Sequence, residues 1–422
     1  MAKKIKNSKI DALRTLAKHD PADDIISEVI PTGHTELDYY ISRGLYQDEH
    51  GQDIQYNEEI TYGIPVGKLV QMYGGEGSGK SSLAYRVCGN AQRMGKAVFW
   101  VDSENSFSPQ LARINGVDTD EIVIQKMWDK EDPEKMFDAE TILDIMMDAC
   151  RKGAGVVVLD SVGSLIPRYV MENPADKDTM AALARVLGKT LGKLAGYAAA
   201  NNVLVIFINQ LQMNPGVSFG NPEGTKGGKT LAHMVSLTLK MTKLTAEKWL
   251  HFVETEKGEP EMIAGSASVQ LQKNRFASPV RESIYIPIYY KFYFPDAEGV
   301  LFDFGRKTKV ISVRTGVYSW SGIKGDGRSE FLSLLKDSGR IGDLLSEVKE
   351  AAEKQELPLP PEILNYEKHQ HFKDSNKVFQ NVSASDGEGS EYDPETAPKK
   401  RKKKTAVSKE AVLEAAVDNP EI

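Results

Sequence analysis

The chain has 422 residues, 41% hydrophobic and 27% charged, with a formal net charge of −7. That length is too great for one small core and predicts a large domain with one or two smaller pieces. The negative balance excludes a global basic field for holding nucleic acid but not local basic loops, because phosphate contacts depend on local charge.

The N-terminal "MAKKIKNSKIDALRTLAK" carries lysines but lacks the apolar core of a signal peptide. Residues 8–18 predict a short amphipathic helix through Ile10, Leu13 and Leu16. The extended "DDIISEVIPTG" follows, then a turn-rich acidic insertion at 46–63 carrying Asp48, Glu49, Asp53, Glu58 and Glu59. A solvated surface loop is the default reading of this insertion, and a partner-docking loop the sharper one.

From Lys68 the texture is strand–helix–strand. "KLVQMYG", "KAVFWVD" (96–102), "GVVVLD" (155–160) and "VLVIFIN" (203–209) are short, continuously apolar strands, separated by helical stretches that include 138–152 and 179–200. This alternation predicts an α/β fold with a mostly parallel sheet covered on both faces. Cys88 and Cys150 lie in helix-like apolar patterns without metal-ligand spacing, as buried free thiols in a reducing cytoplasm would. "SLTLKMT", "SASVQLQK" and "SIYIPIYY" alternate at hairpin-like spacing and predict an antiparallel extension. From about Phe304 the pattern changes and ends in a helix at roughly 329–353, so 304–370 is expected to form a small second domain. "LPLPP" (357–361) stiffens a junction, and beyond about 373 the composition predicts disorder. No run of 18 apolar residues suits a transmembrane helix.

"GGEGSGKSS" (74–82) fits G-x-x-x-x-G-K-[ST] between a strand and a helix, the context that motif requires. Glycines let several backbone N–H groups converge on a phosphate, and the helix N-terminus adds a favourable dipole. Lys80 suits the β and γ phosphates, and the Ser81 hydroxyl suits Mg²⁺. Two further strands end in carboxylates, Asp102 and Glu104 in "FWVDSEN" and Asp160 in "VVVLDS". Parallel strands bring such ends to the edge where ligands bind. Asp160 suits the magnesium-holding carboxylate. Glu104 suits a base that orients water, although an acid after a strand also serves as a cap or turn residue, and the pattern leaves both readings open. These features alone predict a nucleotide triphosphatase.

The order of further segments is more specific. "GEGSGKSS", "VDSEN", "LARINGVD", "VVLDSVGSLIP", "FINQ", "GVSFGNPE" and "QKNRFASP" occur in succession, and together the chain from about 30 to 350 resembles the bacterial RecA recombinase family and its phage-encoded relatives. The resemblance implies a RecA-like P-loop NTPase core (41–303) with an N-terminal polymerisation helix and strand (1–40), a small C-terminal α+β domain (304–370) and a charged tail (371–422). It implies a cytoplasmic, ATP-dependent and Mg²⁺-dependent protein that forms homo-oligomeric filaments on single-stranded DNA and exchanges strands with a homologous duplex. Gly74, Gly75, Glu76, Gly77, Ser78, Gly79, Lys80, Ser81, Ser82 and Asp160 would hold the nucleotide, with Ser81 and Asp160 at the metal. Glu104 would activate water, Gln210 would sense the γ-phosphate, and Lys273 and Arg275 would reach the neighbouring subunit's ATP. Two loops would face DNA. One lies between Pro167 and Thr179, with Arg185 on the helix after it. The other is the long stretch after "FIN", with Met213, Lys226, Gly227 and Gly228.

The chain departs from the family pattern at several places. Leu111 and Ser108 stand where a stacking tyrosine and an acid are common near the base, which predicts looser base selectivity. Gly192 replaces a basic position, Ala232 and His233 replace a Lys-Phe pair, and Lys226 replaces a threonine. "KKRKKK" (399–404) follows an acidic stretch, and its roles as a DNA contact or as a solvated run stay open. A ring ATPase or helicase of the same fold, and a nucleotide-binding filament protein without strand exchange, are the alternatives.

Overall fold

The computed structural model describes residues 28–46, 61–132, 135–173, 179–213, 223–254, 260–278, 282–292, 294, 297–355, 357, 359–375 and 377–378. The expected helix at 8–18, most of the 46–63 insertion, the centres of both expected DNA loops and the charged tail beyond Val378 lie outside these residues, whereas the first residues of the expected tail belong to a helix and a strand.

In chain order, β1 (Val29–Ile30) and α1 (Thr35–Ser42) precede β2 (Ile64–Pro65), β3 (Leu69–Gly74), α2 (Lys80–Arg93), β4 (Ala97–Asp102), α3 (Pro109–Ile114) and β5 (Ile122–Lys126). Then come α4 (Ala139–Arg151), β6 (Ala154–Asp160), α5 (Arg168–Glu172), α6 (Thr179–Ala200), β7 (Leu204–Met213), β8 (Glu223–Thr225) and α7 (Gly228–Met234). The remainder comprises β9 (Leu237–Leu244), β10 (His251–Glu254), β11 (Pro260–Asn274), β12 (Ile284–Tyr289), α8 (Ala297–Lys307), β13 (Ser312–Arg314), β14 (Val317–Trp320), β15 (Ile323–Asp326), α9 (Arg328–Asp337), α10 (Ile341–Lys354), α11 (Pro361–Leu364), α12 (Tyr366–Ser375) and β16 (Lys377–Val378).

The large sheet runs β16-β10-β11-β9-β3-β7-β6-β4-β5. Neighbours from β9 through β5 are parallel. β9 is the turning point: parallel to β3 on one side, antiparallel to β11 on the other. The fold is therefore α/β with a mostly parallel core and an antiparallel extension, as the sequence predicts. The apolar strand runs follow from burial on both faces. Val70, Met72, Val98, Trp100, Val156, Val158, Ile206 and Ile208 belong to one core with α2, whereas Val101, Val157, Leu159, Val205 and Phe207 belong to another with α4 and α6. This two-residue period sends alternate side chains into opposite cores, so the central strands are apolar almost throughout; the buried Gln71 of β3 is an exception, and its amide is hydrogen-bonded.

Several elements differ from expectation. β5 was not expected; its apolar run spans only Ile122 to Ile124, and at the edge of the described sheet Val123 and Ile124 are exposed. β7 runs on to Met213 because its end pairs with β8. The helix expected at 329–353 is two helices, broken at Ser338–Arg340. Ser338 and Gly339 donate back to Leu334 and Lys336 and close the first of them.

Two features fix the periphery. Leu37 and Ile41 of α1 are buried in the first core, so this segment caps its own chain. The ends of the insertion are clasped together: Tyr46 Oη donates to the Thr61 carbonyl at 2.9 Å, and the Tyr46 and Tyr62 rings lie 5.2 Å apart. A third core unites α8, α9, α10 and α11 with Tyr289 and Phe294. There Arg86 of α2, 2% exposed, pairs with Glu362 of α11 at 2.9 Å, and Tyr289 Oη donates to the same carboxylate at 2.9 Å. Removing one member of a buried pair strands the other charge. Glu362→Ala is expected to cost about 3–5 kcal/mol in denaturant unfolding, and a loss well under that would show that the junction is not held by this pair. Among the described residues no helix is long and apolar enough to cross a membrane.

Candidate nucleotide site and the adjoining hairpin

β3 delivers the chain to Gly74, and α2 begins at Lys80 after the left-handed Gly79. Gly79 has φ +85°, and a Cβ there would meet Ile288 Cδ1 at 2.2 Å, so backbone conformation and packing both demand glycine. Within the loop Ser78 Oγ donates to the Gly75 carbonyl at 2.8 Å. Lys80 Nζ donates to the carbonyls of Gly75 at 2.8 Å and Gly74 at 3.3 Å. Burial lowers the Lys80 pKa, against the pull of Asp160, Glu104 and Glu76.

Beside the loop, Ser81 Oγ donates to Asp160 Oδ2 at 2.8 Å. Asp160 stands opposite Asp102 in the β4–β6 register. Burial raises its pKa to about 6, with Glu104 and Asp102 adding to the shift and Ser81 and Lys80 opposing it. A carboxylate held against burial and like charges gains from a cation, so the Ser81–Asp160 pair suits Mg²⁺. Among the described residues there is no cluster of three or more His, Cys, Asp or Glu for a metal. A magnesium ion here would be shared with nucleotide phosphates rather than caged by protein.

The geometry separates the two acids after β4. Asp102 is fully buried; it accepts the backbone N–H groups of Ser106 at 2.9 Å and Phe107 at 3.1 Å and pairs with Lys126. Its oxygens are committed to shaping the turn. Glu104 is exposed, and its Oε1 accepts from Ser161 Oγ, from Ser164 Oγ at 3.1 Å and from Gln210 Nε2 at 3.2 Å. The Asp160–Ser161 peptide is cis. Thus Lys80, Ser81, Glu104, Asp160 and Gln210 come together from α2 and the ends of β4, β6 and β7.

A cavity of about 500 Å³ opens over the loop, lined by Gly77 to Ser82 on one side and by Leu111, Lys243, Met262, Ile288 and Tyr290 on the other. Apart from Leu111, this second wall escaped the sequence reading, because β9, β11 and β12 bring it from far along the chain. Ser108, whose Oγ accepts from the Leu111 N–H at 3.2 Å, is the N-cap of α3.

Lys273 and Arg275 do not line this cavity. Lys273 Nζ donates to the carbonyls of Ala232 at 2.7 Å and His233 at 3.1 Å, and Arg275 Nη2 to that of His233 at 3.1 Å. Both cations therefore sit at the C-terminal end of α7, where they favour the helix dipole.

α7 begins where the β7–β8 hairpin ends. Met213 pairs with Glu223 across the hairpin base. Thr225 accepts from Gln71 Nε2 at 3.2 Å, tying the base to β3. Gly227 packs on α6, where a Cβ would meet Leu187 Cδ1 at 2.8 Å; Gly228 is exposed. Lys226 Nζ is not extended into solvent; it donates to the Gly163 carbonyl at 3.0 Å. Arg185 is exposed on α6, and so are Lys189 and Lys193 at successive four-residue steps. The last two were missed by the sequence reading, although the i, i+4, i+8 spacing was there to find, on the helix where Gly192 lacks a charge.

A family model for the RecA N-terminal domain matches residues 54–292, more than half of the chain. The match spans the phosphate loop, both acidic strand ends, the hairpin and the basic segment of Lys273 and Arg275.

Proposed function

The chain belongs to the RecA family, whose members are ATPases of DNA recombination and repair, and we propose that it assembles on single-stranded DNA as a filament and exchanges strands with a homologous duplex in the cytoplasm. Gln210 carries this reading. Its amide lies on the Glu104 carboxylate, and its strand continues three residues further into the hairpin expected to face DNA. One strand thus serves both ligands, and any effect of ATP on DNA affinity must be matched by an equal effect of DNA on ATP affinity.

In this reading Lys80 exchanges the loop carbonyls for nucleotide phosphates. Ser81 and Asp160 hold Mg²⁺, which supplies charge neutralisation at the phosphates. Glu104 orients the attacking water, and Gln210 exchanges Glu104 for the γ-phosphate. Lys273 and Arg275 act on the next subunit's nucleotide. Arg185, Met213, Gly227 and Gly228 contact DNA, leaving sequence to be read by base pairing. Assembly is supported by the free edge of β5, where Val123 is 56% exposed and nearby Trp128 is 44% exposed, an apolar edge open to strand addition. A polymerisation segment (1–40), an ATPase core (41–303), a small domain (304–370) and a tail (371–422) remain the proposed division, although the three expected boundaries fall inside α1, α8 and α12.

The base side of the cavity, with Leu111, Met262, Ile288 and Tyr290, offers mainly apolar contact. Apolar walls discriminate weakly between bases that differ in polar groups. GTP is therefore expected to be hydrolysed within about tenfold of ATP, measured as kcat/KM, and dATP, which keeps the adenine, is expected to be accepted too; strict rejection of both would contradict this. For the function itself, single-stranded DNA is expected to stimulate ATP hydrolysis, with Lys80→Ala as the inactive control, and electron microscopy is expected to find filaments. Closed rings would favour the helicase alternative, and turnover indifferent to DNA would remove the proposal.

A further inference from the structure

We propose that Lys226 is a positioning residue: its ammonium, bonded to the Gly163 carbonyl, ties the base of the hairpin to the turn that holds Glu104. The inference rests on the reading of this chain as a DNA-stimulated ATPase. The turn Val162–Ser164 follows Asp160 directly, and the serines at 161 and 164 both donate to Glu104 Oε1. Gly163 lies between those serines, and its carbonyl accepts from Lys226 at 3.0 Å. The Lys226 carbonyl in turn accepts from Asn209 Nδ2 at 2.7 Å, and Asn209 Oδ1 accepts the Gln210 N–H at 2.9 Å. Asn209 is fully buried. Lys226 is thus anchored to β7 through its backbone and to the end of β6 through its side chain.

Packing strengthens this link. A Cβ on Gly227 would lie 3.5 Å from Val162 Cγ1, so the hairpin base rests on the same turn. At Gly163 the space a Cβ would fill is occupied by Lys226: Cδ at 3.0 Å and Nζ at 3.3 Å. A lysine stem spans this gap with a charge-assisted bond that a threonine or methionine cannot make. A shift of the hairpin base on binding DNA would therefore be passed to Ser161 and Ser164, and so to Glu104. A lysine in a DNA loop invites the simpler reading of a phosphate contact, and the two readings make opposite predictions about salt.

Lys226→Met is expected to lower kcat in saturating single-stranded DNA by about tenfold or more, the scale of a small misplacement of a reacting group. KM for ATP should stay within about twofold. The slope of log affinity for DNA against log salt should be unchanged, whereas loss of a phosphate contact lowers its magnitude by about one. Lys226→Arg, which keeps the donor, should restore most of kcat. Gly163→Ala, which displaces the same lysine from the other side, should reproduce the loss, and the double variant should be little worse than either single one. Gly163→Ala also keeps the test open if Lys226→Met folds poorly. A reduced salt slope, an unchanged kcat, failure of arginine to rescue, or additive losses would each overturn the proposal. Absence of DNA stimulation in the unaltered chain would overturn the functional reading and this one with it.

Discussion

Glu104→Gln is expected to lower ATP turnover by about 10²- to 10⁴-fold while nucleotide binding survives. Glutamine keeps an oxygen to accept from Ser161, Ser164 and Gln210, so the local hydrogen bonds can persist. What disappears is a negative oxygen able to orient and deprotonate water. The charge change also favours binding: Glu104 is one of the groups that raise the Asp160 pKa, and its neutralisation makes the Asp160 carboxylate easier to keep ionised for Mg²⁺. The expected signature is a collapse of kcat with equal or tighter nucleotide affinity, read by single-turnover hydrolysis and by binding of a nonhydrolysable analogue. Turnover within about tenfold of the unaltered chain would mean that another group activates water. Asp102 is a poor substitute, since its oxygens are bound to Ser106, Phe107 and Lys126.

Arg275→Ala is expected to lower DNA-stimulated hydrolysis by about 10³-fold, the scale of a cation supplied in trans to a phosphoryl transfer; Lys273→Ala should do the same. Within one chain these cations cap α7 and do not line the cavity, so the catalytic role proposed for them requires a neighbour. A mixture tests this directly. Arg275→Ala subunits keep an intact Lys80, and Lys80→Ala subunits keep an intact Arg275. In an equal mixture with head-to-tail contacts, about a quarter of the interfaces join an intact phosphate loop to an intact cation. The mixture should therefore regain hydrolysis that neither variant has alone. A mixture no more active than the sum of its parts would place the cations in cis or make them purely structural. Because α7 starts at Gly228 and ends at these cations, the same helix joins the hairpin to the proposed subunit interface.

The phosphate-loop side of the candidate site was legible because its pattern is local. The phosphate loop is fixed by nine consecutive positions, and each acid follows an apolar strand whose period-two burial marks where it ends. Whether Glu104 is a turn residue was not legible in the pattern; the turn geometry shows that the backbone N–H groups of Ser106 and Phe107 go to Asp102 instead. The base wall was hidden for a different reason: Met262, Ile288 and Tyr290 are ordinary strand residues, made neighbours of the loop by a non-local antiparallel extension. β5 escaped because its apolar run is only three residues, Ile122 to Ile124, before Gln125 and Lys126. The break between α9 and α10 was marked in the sequence by Ser338-Gly339, a turn signal that the expected single helix passed over. Lys226 was legible as a charge in a loop expected to face DNA, but the direction of its ammonium depends on a carbonyl that follows another strand.

Strand exchange between homologous circular single-stranded and linear duplex DNA tests the central claim most directly. The account predicts ATP-dependent formation of nicked circular product by the unaltered chain and none by Lys80→Ala. A chain that hydrolyses ATP on single-stranded DNA yet forms no joint molecules or product under the same conditions would contradict it.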